Sequence, residues 1–282
     1  MDRVIILENV KKHFGNEEAL KGMTIEIAKG EVFGLLGPSG SGKTTTIKIL
    51  TGELEPSEGR VEVLGQSHES FNSTQYVKSL GILSDNSALY ERLTVKDNLA
   101  LFRKLYNTEQ TKVDQVLKDV GLEKHINKRV KDLSKGMKQR ILLCKAVLHE
   151  PEVLFLDEPT SALDPATTES IHAMLLKIKA QGTTIMLTTH NMDEATALCD
   201  TVAFLNNGTV TEMGSPESLR QAYKTNEMHI TYKNGTTRHI QRSKENRTQL
   251  ETALFDPEAV NIESDYPTLG EVFKKVTGKE LV

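Results

Sequence analysis

Residues 37 to 44 read Gly37-Pro38-Ser39-Gly40-Ser41-Gly42-Lys43-Thr44, with Thr45 following. This spacing fits G-x-x-x-x-G-K-S/T, a loop whose chemistry is to hold a row of phosphates. Glycines at 37, 40 and 42 permit the tight turn that aims successive backbone N–H groups at phosphate oxygens. The apolar run Val32–Leu36 before the loop reads as a strand, and Thr44–Leu50 after it as a helix. The loop then sits at a helix N-terminus, where the partial positive charge favours an anion. In that setting Lys43 reaches the β- and γ-phosphates, and the Thr44 hydroxyl is a ligand for Mg2+.

A metal held there needs a carboxylate from the end of a neighbouring buried strand. Val153-Leu154-Phe155-Leu156 is a continuous apolar run between Pro151 and the acidic pair Asp157-Glu158, as expected of a strand buried on both faces of a parallel sheet. Asp157 is the candidate indirect ligand of Mg2+, through water. Glu158 is the candidate carboxylate that polarises an attacking water, as general base or orienting acceptor.

These groups need a scaffold. Val4–Leu7, Gly22–Ile27 and Val61–Leu64 read as further strands, which makes a small β region leading into an α/β core. Thr94-Val-Lys-Asp97 resembles a capping box. It opens a helix with the stripe Val95, Leu99, Phe102 and Tyr106. Val113, Val116, Leu117 and Val120 form a second stripe, closed by Gly121. Ile171, Met174, Leu175 and Ile178 mark a helix ended by Gly182, and Thr184–Thr189 the next buried strand. Beyond Pro216 the apolar runs thin out. His229–Tyr232 and Thr236–Ile240 read as a hairpin around Asn234-Gly235. The expected domains are 1–216, with a helical subdomain near 86–148, and a small appendage at 217–282.

Bulk properties narrow the classes. In 282 residues, 26% charged and 38% apolar residues describe a globular chain. A net charge of −4 argues against sequence-independent nucleic-acid binding, so no nucleic-acid partner is expected. The apolar runs fall far short of the roughly 20 residues of a membrane-spanning helix, and MDRVIILENV lacks a signal-peptide core. Cys144 and Cys199 lack CxxC spacing, which disfavours a cysteine metal site or a disulfide framework and favours a reducing cytoplasm.

With these residues in place the chain resembles the ABC (ATP-binding cassette) ATPase family over about residues 2–215. Leu133-Ser134-Lys135-Gly136-Met137-Lys138-Gln139-Arg140 is similar to the family signature, usually LSGGQ, with Lys135 and Met137 departing from it. Ser161-Ala162-Leu163-Asp164 resembles the D-loop, Thr188-Thr189-His190 the strand end bearing a switch histidine, and Phe14 the aromatic that stacks on adenine. The resemblance implies ATP and Mg2+ as ligands and a P-loop core of mostly parallel sheet, with an antiparallel β region, a helical subdomain and the C-terminal appendage. It implies a head-to-tail dimer, with a homodimer expected. In it Lys43, Thr44, Asp157, Glu158 and His190 act in cis, and Ser134, Gly136 and Asp164 in trans. It also implies a membrane permease partner at the cytoplasmic face of the membrane, docked near 85–106, where Leu89, Tyr90 and Leu93 are exposed candidates. The remaining histidines and both cysteines are assigned structural roles.

One position departs in a directed way. Where the family carries Gln near the Mg2+ site, this chain has Asp85, a substitution frequent in antibiotic-exporting and peptide-resistance members. The tail segments Pro267–Phe273 and Thr277–Leu281 are similar to those of drug and antibiotic exporters. The reading is therefore an export ATPase. An importer ATPase is the alternative, and a soluble ABC-type ATPase acting on ribosomes or DNA is a weaker one. Asp85→Asn removes charge at nearly constant shape. It is expected to leave ATP binding near wild type and to weaken stimulation of ATPase activity by the membrane partner, measured at several Mg2+ concentrations. Equal stimulation in wild type and variant would reduce Asp85 to a turn residue.

Overall fold

The computed structural model describes residues 2–84, 87–161, 163–264 and 266–278; Asp85, Ala162 and the tail positions 279–282 lie outside the described residues. The chain divides into two compact units, one through Ser215 and a second from Pro216.

The first unit opens with β1 (Arg3–Phe14) and β2 (Glu17–Ala28), an antiparallel pair that buries Ile5, Leu7 and Val10 against Leu20, Met23, Ile25 and Ile27. β3 (Val32–Leu36) is buried at every residue and leads into α1 (Lys43–Leu50). β4 (Glu58–Val63) returns to β1, and β5 (Gln66–Ser67) completes an antiparallel sheet of order β2-β1-β4-β5. The apolar run Val4–Leu7 marks only the start of a 12-residue strand. After Leu7 the exposed Glu8 and a left-handed Asn9 (φ 49°) shift the register, so the alternation that would reveal the rest is broken.

α2 (Thr74–Ser79) and β6 (Leu80–Leu83) precede three helices: α3 (Val95–Tyr106), α4 (Gln110–Asp119) and α5 (Lys135–Val147). Thr94 caps α3 by accepting from Asp97 N (3.1 Å), while Asp97 answers through the Thr94 hydroxyl (2.7 Å). Val95 and Leu99 of the stripe are buried, whereas Phe102 and Tyr106 are only half-buried. The loop ahead of α3 hangs on Asn98, fully buried, whose amide oxygen accepts from Tyr90 N (2.8 Å) and whose NH2 donates to Tyr90 O (3.1 Å) and Thr94 O (2.9 Å). That clamp leaves the Tyr90 side chain 60% exposed; Leu89 and Leu93, expected at the surface, are half-buried.

Then come β7 (Val153–Asp157), α6 (Pro165–Ala180), β8 (Thr184–Thr189), α7 (Met192–Leu198), β9 (Thr201–Asn206) and β10 (Thr209–Gly214). They join β3 and β6 in a sheet of order β10-β9-β3-β8-β7-β6, in which only β10 runs antiparallel to its neighbour. The parallel strands are buried on both faces, which explains their unbroken apolar runs. All five parallel strands end on one edge, and there the loops carrying Lys43, Asp157 and His190 emerge. One apolar core joins both sheets, from Ile5 and Ile27 through Ile47 to Phe33, Phe155 and Met186.

The second unit contains α8 (Pro216–Ala222), β11 (Glu227–Tyr232), β12 (Thr237–Gln241), α9 (Arg247–Leu254), β13 (Ala259–Ser264) and α10 (Leu269–Thr277). Its antiparallel sheet has the order β12-β11-β13. Gly235 (φ 80°) closes the hairpin, and Asn234 Oδ1 accepts from Thr236 N (2.9 Å). Ile230, Ile240 and Ala253 form a small core. α10 opens with a full capping box between Thr268 and Glu271.

Candidate active site

The loop from Gly37 to Gly42 is shaped by close approach. A Cβ on Gly37 would stand 2.3 Å from Leu205 O, and one on Gly42 2.7 Å from Leu20 Cδ2; Gly42 also sits at φ 111°. Only glycine fits both demands at position 42. α1 starts there with no side-chain cap and no acid in its first turn. Helices α3, α5, α6 and α7 begin instead on side-chain acceptors, namely Thr94, Ser134, Asp164 and Asn191. The N–H groups of α1 are thus left open to an anion.

Lys43 is 7% exposed, and its ammonium donates to the carbonyls of its own loop, Gly37 O (2.6 Å) and Pro38 O (3.1 Å). Burial lowers its pKa, partly offset by the negative charges of Glu158 and Asp157. The Thr44 hydroxyl donates to Asp157 Oδ2 (2.9 Å), and the Thr188 hydroxyl donates to Asp157 Oδ1. β8 lies between β3 and β7 in the sheet and contributes Thr188. Glu158 adopts φ 49°, a left-handed conformation that costs a non-glycine residue roughly 1–3 kcal/mol, and its N–H donates to Thr188 O (3.0 Å). His190 Nδ1 lies 3.0 Å from Glu158 Oε1, both side chains being open to solvent.

A cleft of about 1140 Å3 is bounded by Phe14, Ser39, Gly40, Gly42, Lys43, Thr44, Thr45, Asp157 and Glu158, with Lys135 and Gln139 also on its wall. Phe14 is 47% exposed there. The donor set fits a polyphosphate: open helix N–H groups and a buried ammonium bonded to carbonyls of its own loop. Thr44 and Asp157 also offer the hard oxygen ligands that Mg2+ requires.

Ser134, Gly136 and Asp164 do not line this cleft. Ser134 is exposed and caps α5, accepting from Met137 N (3.2 Å). Asp164 is exposed and caps α6; the Thr167 hydroxyl (2.7 Å), then the Thr167 N–H (3.0 Å), hold its carboxyl below the usual range. Asp85 lies outside the described residues. Cys144 and Cys199 are buried and their thiols pushed upward by burial, as inert packing cysteines are.

A strand, a glycine-rich loop with a buried lysine, an uncapped helix and an acid at a strand end define a P-loop nucleotide hydrolase. The ABC transporter family profile matches residues 20–161. A fluoroquinolones export ATP-binding protein of Mycobacterium tuberculosis is 34% identical over 94% of this chain and 89% of its own. The methionine import ATP-binding protein of Clostridioides difficile is 38% identical over 77% and 70%. A dimeric ATP-binding cassette, solved in a post-hydrolysis state with ADP and Pi, superposes with a TM-score of 0.68 at 28% identity, covering 75% of this chain and 98% of that one. The chain belongs to the ABC transporter family: it is an ATP-binding, ATP-hydrolysing transporter subunit.

Two residues of the site's frame have roles that the sequence does not reveal. Thr188 reads there as one of several buried β-branched residues. Glu194, 2% exposed, accepts from the Thr160 hydroxyl (2.7 Å), and His172 Nε2 stands 3.5 Å from the same oxygen. Thr160 follows Glu158 by two residues and Glu194 follows His190 by four, so this buried bond ties the two loops together. The available signal was an acid at a helical position otherwise buried among Ala195 and Leu198. Glu194→Leu orphans the Thr160 hydroxyl at a cost of about 1–3 kcal/mol. It is expected to lower kcat for ATP hydrolysis more than it raises KM, with Glu194→Gln, which still accepts the bond, restoring kcat. A variant that loses only thermal stability would show that Glu194 merely packs.

Proposed function

We propose that two copies of this chain hydrolyse Mg2+-ATP head to tail and thereby drive export of a small molecule or peptide through a separate membrane permease. The observation that carries the hydrolytic part is the meeting of Lys43, Thr44, Asp157, Glu158 and His190 at the C-terminal edge of one parallel sheet. The α1 N–H groups bind the phosphates, and Lys43 exchanges its loop carbonyls for phosphate oxygens that balance its buried charge. Thr44 and Asp157 would hold Mg2+, which when bound would supply positive charge against the phosphates. Glu158 takes or orients the proton of the attacking water, and His190 holds the Glu158 carboxylate and reaches the γ-phosphate. Phe14 offers adenine an exposed aromatic face. Ser134 and Gly136, at the N-terminus of α5, and Asp164 complete the site of the opposing copy. Most of the rate enhancement then comes from positioning and electrostatics.

Export is supported by the reach of the similarity. The fluoroquinolone export relative matches 94% of the chain, whereas the import relative leaves about a quarter unmatched, a share the size of the second unit. Asp85 and the tail sequence point the same way. An importer remains the second reading, favoured by the higher identity of that relative. No helix among the described residues is long and apolar enough to cross a membrane. The permease would dock at the cytoplasmic face of the membrane, and a groove of about 300 Å3 walled by Val77, Ile82, Phe102, Tyr106, Lys145 and His149, together with the exposed Tyr90, offers surface for it.

Glu158→Gln is expected to bind ATP normally and to lose turnover by on the order of 10²-fold or more. With hydrolysis stopped the ATP-bound pair persists, so the variant elutes as a dimer with ATP on a sizing column, whereas Lys43→Ala, which loses phosphate affinity, does not. Hydrolysis near wild type in Glu158→Gln would overturn the role given to Glu158.

A further inference from the structure

The three-stranded sheet of the second unit is one-sided. Ile230 and Ile240 face its core, so the residues next to them on each strand stand on the other face. Hydrophobic patterning asks only that this face be polar. It carries two imidazoles and a carboxylate. His229 pairs directly across from His239, and Glu227 stands two residues before His229 on the same strand, hence on the same face. The two rings meet edge to face with centroids 4.3 Å apart. Glu227 Oε2 is 4.0 Å from His229 Nε2, and one donor atom from each of the three residues lies within 4.8 Å of the others. On the far side of His229 the register with β13 sets Glu263, adding a second carboxylate to this face.

We propose that Glu227, His229 and His239 bind a divalent transition-metal ion of the zinc class. Imidazole nitrogen suits zinc, copper and nickel, whereas Mg2+ and Ca2+ prefer all-oxygen sites, so the ion differs from the one that accompanies ATP. Metal–nitrogen bonds of about 2.0–2.1 Å in a tetrahedron set donor atoms about 3.3 Å apart. The donors must therefore draw in by about an ångström, which the exposed side chains of Glu227 and His239 can do by rotation. Three protein ligands leave one position for water or a fourth group. The ion would bridge β11 to β12 and reinforce a unit whose core is small, the circumstance in which metal clamps add most to stability.

Zinc titrated calorimetrically into the nucleotide-free full-length chain is expected to bind at one site in the second unit. His229→Gln and His239→Gln are each expected to weaken that site by at least about tenfold, the loss that even outer-shell changes cause at metal sites. His190→Ala, which removes the imidazole near Asp157 and Glu158, should leave it intact and so separates it from the nucleotide cleft. Because His239 is exposed, its variant is expected to match wild-type circular dichroism without metal. Copper(II) added in place of zinc should show nitrogen hyperfine splitting from two imidazoles in its electron paramagnetic resonance spectrum, and from one in His239→Gln. Absence of zinc binding, its persistence in either His229→Gln or His239→Gln, or its loss in His190→Ala would overturn the proposal.

Discussion

Two hydroxyl groups donate to one carboxylate, and the site is organised around that contact. Asp157, at the end of β7, receives Thr44 from the first turn of α1 and Thr188 from β8. The bonds fix the start of the phosphate-binding helix against the ends of two strands that do not lead into it. They are possible because β8 lies between β3 and β7, a strand order formed by long crossovers and held by apolar burial on both faces. Without that sheet, Thr44 and Asp157, 113 residues apart in sequence, have no reason to meet.

Around this contact the ordinary rules of local stability are broken together. α1 lacks the cap that the helices opening on Thr94, Ser134, Asp164 and Asn191 possess. Lys43 is buried, with its charge disfavoured, and Glu158 holds a left-handed backbone. Each departure is unfavourable by itself. Together they leave open N–H groups, an ammonium and a displaced carboxylate facing one cleft, which is the form in which a fold stores the capacity to bind and cleave a polyphosphate. The Glu194–Thr160 bond, placed behind the cleft, holds the two loops that bear Glu158 and His190.

What could be read from the sequence follows from how local each signal is. Gly37 to Thr44 is contiguous, so the backbone requirement and the lysine appear together in eight residues. Val153–Asp157 and Thr184–Thr189 announce themselves because burial on both faces removes polar residues. The stripe of α3 was visible, but its division was not: Val95 and Leu99 enter the core while Phe102 and Tyr106 wall a groove, and only the packing of α2 and α5 decides that. Only the start of β1 is legible, because the Asn9 bulge interrupts its alternation. The roles of Thr188 and Glu194 are not legible in the sequence because each acts through a partner far away in it, Asp157 and Thr160. The pairing of His229 with His239 likewise depends on hairpin register, which a turn dipeptide alone does not number.

The central claim is that the Asp157 carboxylate, held by Thr44 and Thr188, supplies the charge that recruits Mg2+ to the nucleotide. Asp157→Asn tests it directly, since an amide of the same shape can still accept from Thr44 and offer its NH2 to Thr188 while losing the charge. The measurement is the affinity of the purified chain for a fluorescent ATP analogue, with and without Mg2+. The account predicts that affinity without Mg2+ stays near wild type, while the gain produced by Mg2+ disappears. An undiminished Mg2+-dependent gain in Asp157→Asn would contradict it.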